Sequence, residues 1–144
     1  MKKSGVFESS GYLIKRLQQE IRRRMDEILG QQGITPPQFA TLSTIKMNNN
    51  VSNAELARIS FVTPQTMVRI TANLQEAGFI QKKKDPIHGR IIRIELTEEG
   101  EKLINHCQAL VSGVENKIVS GFTKEEAQSF RLLLSKSLSN FQDP

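Results

Sequence analysis

A mainly α-helical fold with one small β-hairpin is what this sequence predicts, and three observations predict it. Apolar residues recur at three- and four-residue spacing over long stretches near both ends of the chain. In the middle, two short helical stretches are separated by only a few residues, and the second opens on Thr63-Pro64. Directly after it come two short strand-like runs around Asp85-Pro86-Ile87-His88-Gly89-Arg90, residues suited to reversing the chain. At 144 residues this is one domain of ordinary size, long enough to bury a core.

Taken in order, residues 1 to 7 look poorly anchored. From about Ser9 to Leu29, the positions Leu13, Leu17, Ile21, Met25 and Ile28 mark one long amphipathic helix, with Gly30 closing it. Its Arg22-Arg23-Arg24 run reads as a solvated face. Thr35-Pro36-Pro37 starts a second helix, because threonine caps well and a first-turn proline loses no hydrogen bond. Phe39, Leu42, Ile45 and Met47 are its expected inner stripe, Asn48 to Asn50 stop it, and Val51 is a brief strand candidate. Ser52-x-x-Glu55 reads as a capping box opening a short helix with Leu56, Ala57 and Ile59 inward.

Ser60-Phe61-Val62 turns the chain into the next helix, capped by Thr63 with Pro64 in its first turn. Met67, Ile70, Leu74 and Ala77 form its apolar stripe, and Gly78 ends it as a left-handed cap. Its other face carries Gln65, Thr66, Arg69 and Asn73, hydrogen-bonding types that packing does not require. Such residues also occur on ordinary solvated helices, so the segment after Gly78 decides between the two readings. Phe79 and Ile80 lead into Lys82, Lys83 and Lys84, and Ile91, Ile92, Ile94 and Leu96 mark a returning strand. Residues 79–93 hold five Lys or Arg and one acid. Two helices in a tight turn followed by a basic hairpin form a winged helix-turn-helix, whose second helix can read a major groove. The net charge of +5 and the pI of about 9.6 favour a polyanion partner, here double-stranded DNA.

Thr97-Glu98-Glu99 begins a fifth helix with acids where the helix dipole favours them, and Leu103, Cys107, Leu110, Val111, Val114 and Ile118 form its stripe. Phe122 and Thr123 break it. Thr123-x-x-Glu126 is a further capping box, and the last helix presents Ala127, Phe130, Leu133, Leu134, Leu138 and Phe141. These end helices carry more apolar stripe than one small lobe can cover, which points to a homodimer. The expected organisation is an N-terminal dimerisation helix in residues 1–32, a DNA-binding lobe in 33–97 and C-terminal dimerisation helices in 98–144.

Other chemistry finds little support. His106 and Cys107 are neighbours on a helix and point apart, so they make no nucleophile–base pair, and no phosphate-cradling motif appears. Neither histidine has a second ligand at helical spacing, so no metal, cofactor or catalytic residue is expected. Cys107 lies on an apolar stripe and reads as packing; one cysteine precludes an internal disulfide framework and fits a reducing compartment. No apolar run approaches the roughly 20 residues of a membrane span. Lys2 and Lys3 are followed by no apolar region, so no signal peptide is expected and the cytoplasm is the expected location. The alternative is a winged helix that binds protein and not DNA, a module with no need for Arg69, Lys82 to Lys84 or Arg90.

The pattern Ser52-x-x-Glu55-Leu56-Ala57, Thr66-x-x-Arg69-x-x-x-x-Leu74-x-x-x-Gly78-Phe79-Ile80 and Arg90-x-x-x-x-x-Leu96-Thr97-x-x-Gly100 resembles the MarR (multiple antibiotic resistance regulator) family. The resemblance extends over nearly the whole chain. It implies a homodimer on an inverted-repeat operator, usually a repressor, with the recognition helix in the major groove and a wing-tip arginine in the minor groove. Those roles would fall on residues 64–73 and on Arg90, with Thr63, Pro64 and His88 beside them. It also implies release by a small phenolic or anionic effector, for which Tyr12, Arg16, Phe39 and Met47 are the candidate pocket walls. This chain departs from the family at His88, where an Asp usually stands. His88 cannot hold Arg90 by an ion pair when charged, so Arg90 is expected to be more mobile than usual, and protonated His88 would add a pH-dependent phosphate contact.

Overall fold

The structure, a computed structural model, describes residues 5–90 and 92–142; Ile91 of the expected second strand, and Lys2 and Lys3, lie outside them. A 3-10 turn over Val6–Glu8 leads into α1 (Ser10–Gln31), α2 (Pro36–Met47), α3 (Asn53–Ile59) and α4 (Pro64–Glu76). The hairpin β1 (Ile80–Lys84) and β2 (Ile92–Leu96) follows, then α5 (Glu98–Ile118) and α6 (Lys124–Ser139). The strands pair antiparallel, with Ile80 opposite Leu96 and Lys84 opposite Ile92. This is the winged helix-turn-helix that the hairpin and the paired short helices predict. Among the described residues, no helix is long and apolar enough to cross a membrane.

Helix starts follow the chemistry of their caps. Thr35 accepts the Gln38 N–H at 3.3 Å while the Gln38 side chain accepts the Thr35 N–H at 2.9 Å, a complete capping box. Thr123 and Glu126 repeat it. The box expected at Ser52 forms only by half. Ser52 Oγ accepts the Glu55 N–H at 3.2 Å, but the Glu55 carboxylate turns to Arg58 at 3.1 Å. On an exposed face the N-cap amide can stay with water, and the ion pair one turn on draws the carboxylate away.

The main core joins Leu42, Ile45, Leu56, Ala57, Met67, Ile70, Leu74, Ile80 and Ile104. A second cluster of Leu29, Ile34 and Cys107 is linked to it by Phe39 and Leu103, which pack against both. Several positions differ from the sequence reading for one geometric reason. Helix neighbours point about 100° apart. Leu29 is therefore the fully buried residue at the end of α1, where Ile28 was expected, and Ile104 is the fully buried one beside Leu103. Met47 stands two residues beyond buried Ile45, rotates to the far side and is 89% exposed. Ala77 is also exposed, because it caps α4 as the chain leaves the core. Gly30 lies inside α1, which ends a residue later. Val51 forms no strand; half-buried, it packs against the main core.

Two glycines carry a structural requirement. Gly78 takes φ +85°, the left-handed cap its sequence position predicts. At Gly100 the constraint is space: a β-carbon there would lie 2.0 Å from the Phe79 carbonyl oxygen. The contact is tight because Thr97 bonds the start of α5 to the end of α4. Its N–H donates to Phe79 O at 3.0 Å, and its hydroxyl donates to the Gly78 carbonyl. The same hydroxyl accepts the Gly100 N–H at 3.1 Å. The Leu-Thr-x-x-Gly run is thus the joint between the hairpin, α4 and α5.

Candidate nucleic-acid interface

The α3–α4 turn sets the angle at which α4 is presented. Val62 N–H donates to Ala57 O at 3.0 Å, and Phe61 adopts φ +57° with its ring 95% exposed. A left-handed non-glycine residue is strained by about 1–2 kcal/mol, so the packed turn around it must hold it there. Buried Thr41 donates its hydroxyl to Pro37 O at 2.8 Å, and its oxygen lies 3.4 Å from Ser60 Oγ, tying α2 to this turn. Asn53 donates its side-chain amide to Pro64 O at 3.2 Å, fixing the start of α3 to the start of α4. The sequence reading missed both ties, which join residues distant along the chain.

With its inner stripe buried, α4 turns Gln65, Arg69 and Asn73 to solvent. Thr63 and Pro64 lie exposed at its start. Thr66 is half-buried and partly committed to the cap: its N–H donates to Thr63 Oγ1 at 3.1 Å and its oxygen accepts the Thr63 hydroxyl at 2.9 Å. Val68 is 59% exposed, an apolar member of a face expected to be polar. Apolar side chains on such a face can meet thymine methyl groups. Among the described residues, Arg69 has no carboxylate within ion-pair distance.

On the wing, Lys82, Lys83 and Lys84 are all exposed but differ in charge environment. Lys83 pairs with Glu95 at 3.3 Å, so part of its charge is already met. Lys82 and Lys84 have no such partner among the described residues. Arg90 and His88 are exposed in the loop. Asp85, read from sequence only as a turn residue, is buried at the loop's base. Its Oδ1 accepts the N–H of Ile87 at 2.8 Å and of His88 at 3.1 Å. Its Oδ2 accepts Nε and Nη2 of Arg93 at 2.9 and 2.8 Å. These backbone bonds first, and the Arg93 guanidinium after them, hold its carboxyl below the usual aspartate range against the opposing effect of burial. A depressed pKa stabilises the fold above the unfolded value and is lost only as pH falls through the folded one, so this loop stays intact at neutral pH.

The pH-dependent phosphate contact expected of His88 is tested by His88→Gln: a variant with the same pH dependence of DNA affinity as the wild type, read by fluorescence anisotropy, would remove His88 from the interface.

The four candidate effector residues do not come together. Tyr12 is half-buried in the first turn of α1 against Phe7, with ring centroids 5.3 Å apart. Arg16 is exposed one turn on, Phe39 packs into both cores, and Met47 points to solvent at the far end of α2. A cleft of about 740 Å³ lies elsewhere, between α1, the start of α2 and the α3–α4 turn, and none of the four lines it. Ile21, Met25, Pro36 and Phe61 give it apolar walls, and Arg22, Arg69 and Asn73 give it a polar edge. The Arg22-Arg23-Arg24 run is exposed, with Arg23 paired to Glu20 at 3.2 Å within α1. Cys107 is fully buried and burial pushes its thiol pKa up, which opposes reactive thiolate formation.

Comparison with known proteins agrees with this geometry. The HTH-type transcriptional repressor Rv2887 of Mycobacterium tuberculosis is 29% identical over 126 residues, 88% of this chain and 91% of the repressor. The crystal structure of that protein with DNA superposes with a TM-score of 0.72 at 28% identity, covering 89% of this chain and 96% of that one. Its complex with salicylic acid gives a TM-score of 0.76 at 27% identity, covering 94% and 98%. Residues 34–92, the lobe from the approach to α2 into β2, match the model of the MarR family.

Proposed function

We propose that this protein is a sequence-specific DNA-binding transcription regulator, a homodimeric repressor acting in the cytoplasm on a pseudo-palindromic operator. The observation that carries the reading is the pairing of one exposed, unneutralised helix face with a basic hairpin beside it. Gln65, Thr66, Arg69 and Asn73 read base edges, and Val68 adds an apolar contact. Thr63 and Pro64 bring the start of α4 to the backbone. Lys82, Lys83, Lys84 and His88 meet phosphates, and Arg90 enters the minor groove. Residues 1–32 and 98–144 form the dimerisation body and 33–97 the reading lobe, with Ile104 of α5 anchoring the two together. Two lobes then lie about 34 Å apart, one turn of DNA.

Selection of duplexes from a random pool tests the reading, and an inverted repeat is the expected product. Binding at low ionic strength must weaken steeply with salt. A protein-binding module would enrich no sequence. Within the selected site, Arg69→Ala is expected to relax base preference by about 1–3 kcal/mol. Lys84→Ala is expected to weaken all sequences alike and lower the salt slope by about one. Lys84 is the cleaner probe than Lys83, whose Glu95 partner compensates part of its charge. Equal, sequence-independent losses in both variants would count against base reading by Arg69.

The effector reading rests on the relative solved with salicylic acid and on the cleft beside α4. Its apolar walls and arginine edge suit a small aromatic anion. Arg69 and Asn73 border both the cleft and the DNA-facing surface, so a ligand bound there would favour a state in which they are withdrawn from DNA. Such a ligand releases the operator only as far as it binds that state more tightly.

A further inference from the structure

We propose that Asp85 is a positioning residue for DNA binding, acting through Arg90 at the wing tip. The inference rests on the DNA-binding reading above. Asp85 is 6% exposed, and both carboxylate oxygens are used. One oxygen draws back the amides of Ile87 and His88; the other fixes the Arg93 guanidinium in a two-pronged pair. Asp85 directly follows β1 and Arg93 lies in β2, so the carboxylate closes the hairpin at the base of its loop. Beyond that closure the described loop is short: His88, Gly89 and Arg90. A tip shortened in this way presents its arginine with less freedom to lose on binding, which is pre-organisation.

The same pair decides which arginine is available. Arg93 is neutralised by Asp85, whereas exposed Arg90 has no carboxylate within ion-pair distance among the described residues. The wing therefore offers one free guanidinium at a defined place. Its natural counterpart is a narrow, A·T-rich minor groove beside the bases that α4 reads.

The test is an epistasis measurement on the full-length protein with two duplexes that share the selected core and differ in A·T or G·C flanks. Asp85→Asn keeps an acceptor for the loop amides and removes the charge that holds Arg93. It is expected to lose about tenfold in affinity for the A·T-flanked duplex, within what one contact contributes, and to lose the flank preference. Arg90→Ala is expected to do the same. The double variant Asp85→Asn/Arg90→Ala is expected to be no weaker than Arg90→Ala alone. Arg93→Gln cuts the same pair from the other side and must reproduce the Asp85→Asn result. Should Asp85→Asn lower the melting temperature, Arg93→Gln carries the comparison.

Wild-type affinity and flank preference in both single-pair variants would overturn the proposal. So would losses that multiply in the double variant, because a purely structural role adds to the loss of Arg90. If the wild-type protein binds neither duplex, the DNA-binding reading itself has failed, and the inference falls with it.

Discussion

Gly100→Ala is expected to destabilise the fold by about 3 kcal/mol or more, because the added methyl falls 2.0 Å from a backbone oxygen. A flexible side chain could swing away, but the Phe79 carbonyl cannot. It accepts the Thr97 N–H at 3.0 Å and sits where α4 hands over to β1. Relief therefore requires α5 to lift from the lobe. That movement would expose Ile104, which is fully buried in the main core, and strain the Thr97 bonds to Gly78 and Gly100. Loss of such a cap alone costs only about 1 kcal/mol, so the steric term dominates. Against a total stability of about 5–15 kcal/mol this is a large fraction. Chemical denaturation followed by circular dichroism reads it directly. A loss below about 1 kcal/mol would mean that α5 does not approach the hairpin as closely as described.

Much of this architecture is legible in one dimension because its signals are local. Thr35-Pro36, Thr63-Pro64 and Thr97 mark helix starts through bonds spanning three residues, and Gly78 marks an end through its own φ. The hairpin and the exposed faces of Gln65, Arg69 and Asn73 follow from periodicity alone. What escaped is non-local or turns on a single residue of phase. Leu29 and Ile104 sit beside the residues expected to be buried, and a 100° step separates the two outcomes. Asp85 and Arg93 are eight residues apart, with the loop between them. Nothing in their spacing distinguishes a buried latch from a solvated turn acid. Phe61 carries no marker at all for its left-handed backbone, since it is the packed turn that imposes it. The four effector candidates Tyr12, Arg16, Phe39 and Met47 lie apart in the chain for the same reason: which of them meet depends on helix packing that no local pattern encodes.

Leu138→Asp is expected to convert the protein to a folded monomer and to reduce operator affinity by about 10²–10⁴-fold. The single chain leaves α6 without a buried residue; Leu133 and Leu138 stand exposed along it, and Phe141 is exposed just beyond its end. Val6, Phe7, Leu13 and Ile14 are exposed at the other end of the chain. Uncovered apolar surface of this extent is accounted for by a second copy, in the dimer proposed above. Because Leu138 is 69% exposed, an aspartate there removes nothing from the core of the chain itself, and the melting of the reading lobe should be retained. The loss on DNA arises elsewhere. In the dimer, one bound lobe holds the other near its half-site at a high effective concentration, and separating the lobes removes that gain without touching any DNA contact. Affinity for a duplex carrying one half-site should therefore be the same in wild type and variant, while affinity for the inverted repeat falls. Sedimentation equilibrium and anisotropy on the two duplexes decide the matter. A variant that remains dimeric would place the interface away from α6, and a monomer with wild-type affinity for the repeat would show that the lobes do not act as a pair.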